Sequence, residues 1–487
     1  MIVNTELTDD IQGKVLKISY IDKDGFCKIM NCRVTPEMMY NWRYATYRDT
    51  PDPNFLSWDF KRVAKKPSDN YLTVQRIHEI MVELNNRYPE IMAPLYELNL
   101  PKTAFCDIEV MVLDDGFPDA AHAKNPVNSM SKVVNGDVLV RGRANLSQDD
   151  INWIQKKIDD HCSAFKTKYK FSYKYYPREV DLVYDIVNED FAKAECTTGW
   201  NFFGYDYPYI YNRAKTLGID VNVMSPTRSF FKYTPQGGGK DDAIMLPNHR
   251  LMYDYMEIYA KWDRTVDPKE SNKLDWVAGT VLGVKKLEHT LGFKEFWEQK
   301  PAEYICYNAI DSIVNREIDE KIRTSAAFMG LANLTHVPAL TAFSSVKTLE
   351  IVQSEYLYKE NRVMPQDRKA DNPNKDGYEG AYVYDPIPGV YKNVFACDFR
   401  SLYPSIEMQF NISPDTYIKK DKNHKVGPNE IRTVSGAIYR RDFKGFIPTI
   451  TEDFFEQRRA YKGEMQIAEH EMYELKAIYE KRFHKDY

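Results

Sequence analysis

Residues 105–112 read Phe105-Cys106-Asp107-Ile108-Glu109-Val110-Met111-Val112. An apolar run of this length reads as a buried strand, here over 104–113, with Pro101 punctuating the chain before it. Two acids interrupt it. A period of two puts Asp107 and Glu109 on one face. Like charges side by side repel, and they tolerate each other best with a cation between them. A half-exposed strand with alternating polar residues would give the same string, so the meaning of this pair depends on what the chain supplies elsewhere.

Two further stretches supply it. The first is Thr198-Gly199-Trp200-Asn201-Phe202-Phe203-Gly204-Tyr205-Asp206-Tyr207-Pro208-Tyr209-Ile210. Pro208 suits the first turn of a helix, so Asp206 lies where a loop enters one. An aspartate N-cap would look the same. The second is Tyr307-Asn308-Ala309-Ile310-Asp311-Ser312-Ile313-Val314, inside a helical run over about 303–325. Tyr307 and Asp311 are i and i+4 and share a face, so a phenol and a carboxylate can approach one substrate together. The competing reading is an exposed polar stripe with Ile310, Ile313 and Val314 turned to the core.

In this order and spacing the three stretches resemble the exonuclease motifs of the proofreading 3′→5′ exonucleases of the DEDDy type. Phosphodiester hydrolysis needs an activated water and a stabilised leaving oxygen, and two divalent ions about 3.5–4 Å apart provide both. Mg²⁺ takes oxygen ligands, which fits Asp and Glu without His or Cys. The resemblance implies that Asp107, Glu109, Asp206 and Asp311 hold two Mg²⁺ per site, with Mn²⁺ as a substitute. It implies that Tyr307 orients the attacking water, and that Asn201 and Phe202 contact DNA. The implied fold is α+β and multi-domain, with a ribonuclease H-like mixed sheet flanked by helices.

Further along stands Asp398-Phe399-Arg400-Ser401-Leu402-Tyr403-Pro404-Ser405-Ile406. An apolar strand, Val394-Phe395-Ala396-Cys397, is expected to deliver the carboxylate, and Ser-Leu-Tyr-Pro to turn into a helix. This segment resembles motif A of the family B DNA polymerases, as found in the replicative polymerases of large tailed phages. The resemblance makes Asp398 a metal ligand, with the carbonyl of Phe399 as another. It places Leu402 and Tyr403 at the incoming nucleotide, where the Tyr403 ring leaves no room for a 2′-hydroxyl. Tyr378-Glu379-Gly380-Ala381 resembles the segment that contacts the template, which implicates Tyr378 and Gly380, and Asn411-Ile412-Ser413-Pro414-Asp415-Thr416 continues the likeness. From Thr451 onward the pattern is helical. Arg458 and Lys462 on that helix are i and i+4, a spacing suited to a triphosphate.

The implied domains are an N-terminal domain over 1–102, an exonuclease domain over 103–335, a return segment over 336–376, a partial palm over 377–450 and the start of fingers over 451–487. The fingers motif Lys-x-x-x-Asn-Ser-x-Tyr-Gly and the Asp-Thr-Asp motif with the second catalytic aspartate are not among the 487 residues. One aspartate cannot hold two ions. The expected function is therefore the N-terminal part of a DNA-directed DNA polymerase, with a complete proofreading exonuclease and half a polymerase site, needing a second chain or a missing C-terminal region for synthesis. Primer-template DNA, single-stranded 3′ ends, dNTPs and a second polypeptide with fingers, remaining palm and thumb are its expected partners. Two alternatives stay open: a stand-alone exonuclease with a vestigial polymerase segment, and a non-catalytic nucleic-acid-binding subunit. Four acids would repel DNA phosphate without metal, which argues against the last.

Composition sets broader limits. Net charge is −5, against the basic balance common in nucleic-acid binders, although one channel can be basic on an acidic protein. Seven scattered cysteines form no CxxC pair, which suggests reduced thiols rather than a disulfide framework, with Cys106, Cys306 and Cys397 buried. No apolar run of about 18 residues is present, so no membrane span is expected, and the cytoplasm (the host's, if phage-encoded) is the expected compartment. Secondary structure elsewhere is expected as a helix over 147–165 capped by Ser147, a loop or hairpin over 114–137, a hairpin tip at Gly237-Gly238-Gly239, and an edge strand along Lys166–Lys174.

Overall fold

The structure is a computed structural model that describes residues 1–44, 62–67, 74–113, 116, 118–239, 242–263, 270–284, 287, 290–363, 384–399 and 401–483. Tyr378 and Gly380 lie outside the described residues. The chain forms two compact units, Met1–Met38 with Glu83–Leu349 and Met39–Val82 with Glu350–Tyr487. Helices and several sheets are mixed in an α+β chain.

The first unit opens with an antiparallel meander of Ile2–Asp10, Gly13–Ile21 and Cys27–Arg33. Its centre is a six-stranded mixed sheet in the order Leu251–Asp254, Cys196–Gly199, Thr103–Val110, Val127–Val134, Asp137–Gly142 and Lys170–Tyr175. The first three run parallel, the next two pairings are antiparallel, and the last is parallel again. The sequence reading of 114–137 as loop or hairpin missed the strand Val127–Val134, whose serines and asparagine mask a buried element. The serines are paired: the hydroxyls of Ser129 and Ser131 both reach Asn308. Asn135 turns the hairpin in the left-handed region (φ 54°), which its short polar side chain tolerates. Lys170–Tyr175 is the sheet's edge, where alternating lysines face solvent and discourage further pairing.

Period-two alternation sorts the strand Thr103–Val110. Ala104, Cys106, Ile108 and Val110 enter a core with Leu182, Val183, Phe202, Phe203, Tyr207 and Ile210. The long helix Pro301–Ile322 packs across the opposite face. That helix is buried nearly all round from Tyr304 to Asn315, so the exposed polar stripe weighed from sequence is absent there. Ser147 caps the helix Gln148–His161 through a reciprocal box with Asp150. The glycine-rich stretch connects the antiparallel strands Phe230–Tyr233 and Ile244–Pro247.

In the second unit, Tyr40–Tyr44 pairs with Arg62–Pro67. The helix Leu402–Phe410 leads to a small antiparallel sheet of Tyr417–Lys420, Ala437–Arg440 and Glu430–Arg432, then to the 38-residue helix Phe446–Phe483. Asn411, at φ 53°, joins these parts: its side-chain amide donates to the carbonyls of Arg440 and Phe443 and accepts from the Gly445 N–H. Asp415, nearly fully buried, pairs with Arg362 at 2.9 Å. The strand expected at Val394–Cys397 does not form. Residues 384–399 carry no helix or strand, and Phe395 is 92% exposed. Strand backbone needs a ladder partner for its N–H and C=O groups, and none runs beside this stretch among the described residues. For the same reason Cys397 is exposed, not buried, whereas Cys106 and Cys306 are buried.

Candidate metal centre

The acidic residues meet where the parallel part of the sheet runs out. Cys196–Gly199 pairs with Thr103–Val110 only as far as Phe105. Beyond that point the backbone of the longer strand has lost its neighbour. Its Ile108 N–H is satisfied by Asp206 Oδ1 at 2.9 Å. Asp206 is the first residue of the helix Asp206–Thr216, with Tyr205 as N-cap, so it is not capping its own helix as a plain N-cap aspartate would.

The connecting loop is held tightly. A Cβ on Gly199 would sit 2.5 Å from the Cys106 carbonyl oxygen, so only glycine allows the two strands to approach this closely. Asn201 lies in the left-handed region (φ 59°), and its carbonyl accepts from the Gly204 and Tyr205 N–H groups. Asp254, at the end of its strand, accepts from the Phe203 and Met256 N–H groups, both at 2.9 Å. Burial raises its carboxyl to about 6. Phe202 is fully buried against Phe191, Phe203 and Tyr207. The DNA contact expected of it is therefore corrected: its ring belongs to the core and holds the loop from beneath. Trp200 takes the position facing outward, with its indole N–H on the Asn272 carbonyl at 2.9 Å.

From the other side the helix Pro301–Ile322 brings Tyr307 and Asp311 over the strand. One carboxylate oxygen each from Asp107, Glu109 and Asp311 lies within 4.8 Å of the others. Asp206 is not in that trio but borders the same cavity of about 260 Å³, which Tyr307, Asn201, Trp200, Tyr205 and Phe293 also line. Burial and the neighbouring Asp107 carboxylate push the Asp206 carboxyl well above the ordinary range. Such crowding of negative charge is what a divalent cation would relieve, and the donors are all hard oxygens, so the residues fit Mg²⁺ or Mn²⁺.

The helix contributes two polar residues that the sequence reading passed over. The Tyr304 hydroxyl donates to Glu109 Oε2 at 3.4 Å, and the Asn308 amide donates to Asp107 Oδ2 at 2.7 Å. Helical spacing was a usable signal for both. Tyr304 lies i−3 from Tyr307, and Asn308 lies i−3 from Asp311. Phe293 packs edge-on to Tyr307 at 6.3 Å between ring centroids, and nothing in the sequence near it marks it.

The polymerase-like residues all lie in the second unit. Asp398 and Phe399 are exposed in the irregular stretch, Phe399 to 75%. Ser401, at φ 51°, starts the helix that carries Leu402 and Tyr403, and Tyr403 is 74% exposed, so it is not a core ring. Arg458 and Lys462 are exposed one turn apart on the long helix.

Fold and site thus define an α+β, ribonuclease H-like domain with an acidic cluster at the end of its central strand, joined to a second unit. A family model described as DNA polymerase family B, exonuclease domain, matches residues 33–275, and one described as DNA polymerase family B matches residues 345–484. The chain belongs to DNA polymerase family B. It is 29% identical over 398 residues to the DNA-directed DNA polymerase of Escherichia phage RB69 and 26% identical over 401 residues to that of Enterobacteria phage T4. These matches cover 77% and 76% of this chain but 43% of each relative, so the chain spans less than half the relatives' length. The DNA polymerase delta catalytic subunit of Caenorhabditis elegans is 28% identical over 288 residues, covering 55% of this chain and 26% of the relative. Tyr307 and Asp311 fall between the two matched regions, so their place beside Asp107 and Glu109 is a finding of geometry. No helix among the described residues is long and apolar enough to cross a membrane.

Proposed function

We propose that the first unit is a 3′→5′ exonuclease of the DEDDy type acting on single-stranded DNA ends. We propose further that the second unit carries half of a DNA polymerase site. The observation that carries the reading is the convergence of Asp107, Glu109 and Asp311 within 4.8 Å, in a cavity shared with Asp206 and Tyr307. Asp107, Glu109, Asp206 and Asp311 would hold two divalent ions, which when bound supply an activated water and neutralise charge on the leaving oxygen. Tyr307 offers a phenol at the cavity wall to orient that water. Trp200 and Phe293 present ring surface on which a terminal base can stack, and Asn201 adds polar groups for the backbone of the strand.

In the second unit Asp398 and the Phe399 carbonyl serve the polymerase metals, Leu402 and Tyr403 the sugar, and Arg458 and Lys462 the triphosphate of an incoming dNTP. Tyr378 and Gly380 contact the template. Synthesis on a primer-template requires the remaining palm, fingers and thumb, which a second polypeptide or the rest of a longer chain supplies. Such a role belongs in the cytoplasm.

The test is degradation of a 5′-labelled single strand by the purified chain with Mg²⁺. Asp311→Ala should lower the rate by more than about a hundredfold, beyond the loss usual for a mere partner of a metal ligand. Its circular dichroism spectrum should be unchanged. Undiminished cleavage by that variant would sink the assignment.

A further inference from the structure

Asn308 is fully buried, and each polar atom of its side chain is committed. Its Nδ2 donates twice to one residue, to the Asp107 carbonyl at 3.1 Å and to Asp107 Oδ2 at 2.7 Å. Its Oδ1 accepts from the Ser129 hydroxyl at 3.0 Å. The two Asp107 acceptors fix which way the amide points, since the Ser129 hydroxyl could either donate or accept. Flipped, the Asn308 oxygen would face both of those acceptors. The Asn308 carbonyl is in turn held by the Ser131 hydroxyl at 2.8 Å, which ties the helix to the neighbouring strand at the same level.

We propose that Asn308 is a positioning residue for the cation site. It clamps Asp107 by backbone and carboxylate together and so sets that carboxylate beside those of Glu109 and Asp311. The inference rests on reading the acidic trio as a divalent-cation site. Two features favour it over a role in packing alone. A carboxamide donates a hydrogen bond without adding charge, so it orients Asp107 without competing with a cation, as a lysine or arginine would. Asn308 and Asp311 are i and i+3 on one helix, so the clamp also fixes the spacing between the Asp107 and Asp311 carboxylates.

The test is Mn²⁺ titration of the full purified chain, with free ion measured by electron paramagnetic resonance. Asn308→Ala should weaken binding about 10–100-fold, and Ser129→Ala should weaken it in the same direction by less. In cleavage assays the midpoint of the Mg²⁺ dependence should rise while the rate at saturating metal recovers. A role in packing alone would lower the amplitude and leave the midpoint in place. Asp107→Asn separates the two ideas. If it binds Mn²⁺ like the parent, the trio is not a cation site. If it loses binding while Asn308→Ala and Ser129→Ala titrate like the parent, the clamp alone is wrong. Should Asn308→Ala fail to fold by circular dichroism, Ser129→Ala decides, and parent-like titration by it overturns the clamp.

Discussion

Gly199 shows how much a single position can carry at the acidic site. It ends the strand that pairs with the central one, and a methyl group there would meet the Cys106 carbonyl at 2.5 Å and the Phe202 ring at 3.0 Å. The carbonyl is sheet backbone and cannot swing away as a side-chain tip can. Gly199→Ala should therefore force the strands apart and cost about 1–3 kcal/mol, the usual price of overpacking. A lower denaturant midpoint with an unchanged slope is the expected result. Since the loop that follows carries Asn201 and delivers Asp206, strand cleavage should fall as well. A variant with parent stability would show that the close approach is relaxed in solution. The acids themselves were legible because a strand's period of two and a helix's i, i+4 spacing are local rules. Gly199 was not, since its constraint comes from Cys106, nearly a hundred residues away in the chain.

Elements were legible where their reasons were local. The Ser147 capping box, the helical run that became Pro301–Ile322 and the edge strand with alternating lysines all carry their cause in a few consecutive residues. Val127–Val134 was missed because its serines are satisfied by a helix distant in sequence, and Val394–Cys397 was overread because apolar residues alone do not provide a ladder. The tip of the hairpin formed by Phe230–Tyr233 and Ile244–Pro247 offers a test at this scale. Glu257, on the helix Tyr255–Trp262, accepts the Gln236 N–H at 2.9 Å. Burial, then the nearby Asp254, raise its carboxyl to about 7. A raised acid is most favourable to the fold while protonated. Its contribution is complete below the ordinary value of 4.5 and is lost as pH rises through about 7. Glu257→Gln keeps the acceptor and removes the charge. It should match the parent at pH 4 and exceed it at pH 8 by about 1–2 kcal/mol, after allowance for partial solvation. Denaturant melts at both pH values check this. A variant less stable than the parent at pH 8 would mean that the charge helps to hold the hairpin.

At the scale of the whole molecule the two units carry unequal amounts of chemistry. The first gathers its acids in one cavity, whereas Asp398, the aspartate proposed for the polymerase site, lies on a stretch with no sheet neighbour among the described residues. Val394, Phe395 and Phe399 expose most of their apolar surface there, in a segment whose composition suits a buried strand. A site with one aspartate cannot place two ions, and the Asp-Thr-Asp motif is not among these 487 residues. The chain by itself should therefore degrade single strands but not extend a primer when given dNTPs and Mg²⁺. Adding a polypeptide that carries the remaining palm, fingers and thumb should restore extension and cover Phe395 and Phe399, detectable as slowed amide exchange over 394–399. In that mixture Asp398→Ala should abolish extension and spare degradation, while Asp311→Ala should do the reverse. Primer extension by the chain alone would overturn the division of labour between the units, as would loss of both activities from either substitution in a protein that still folds.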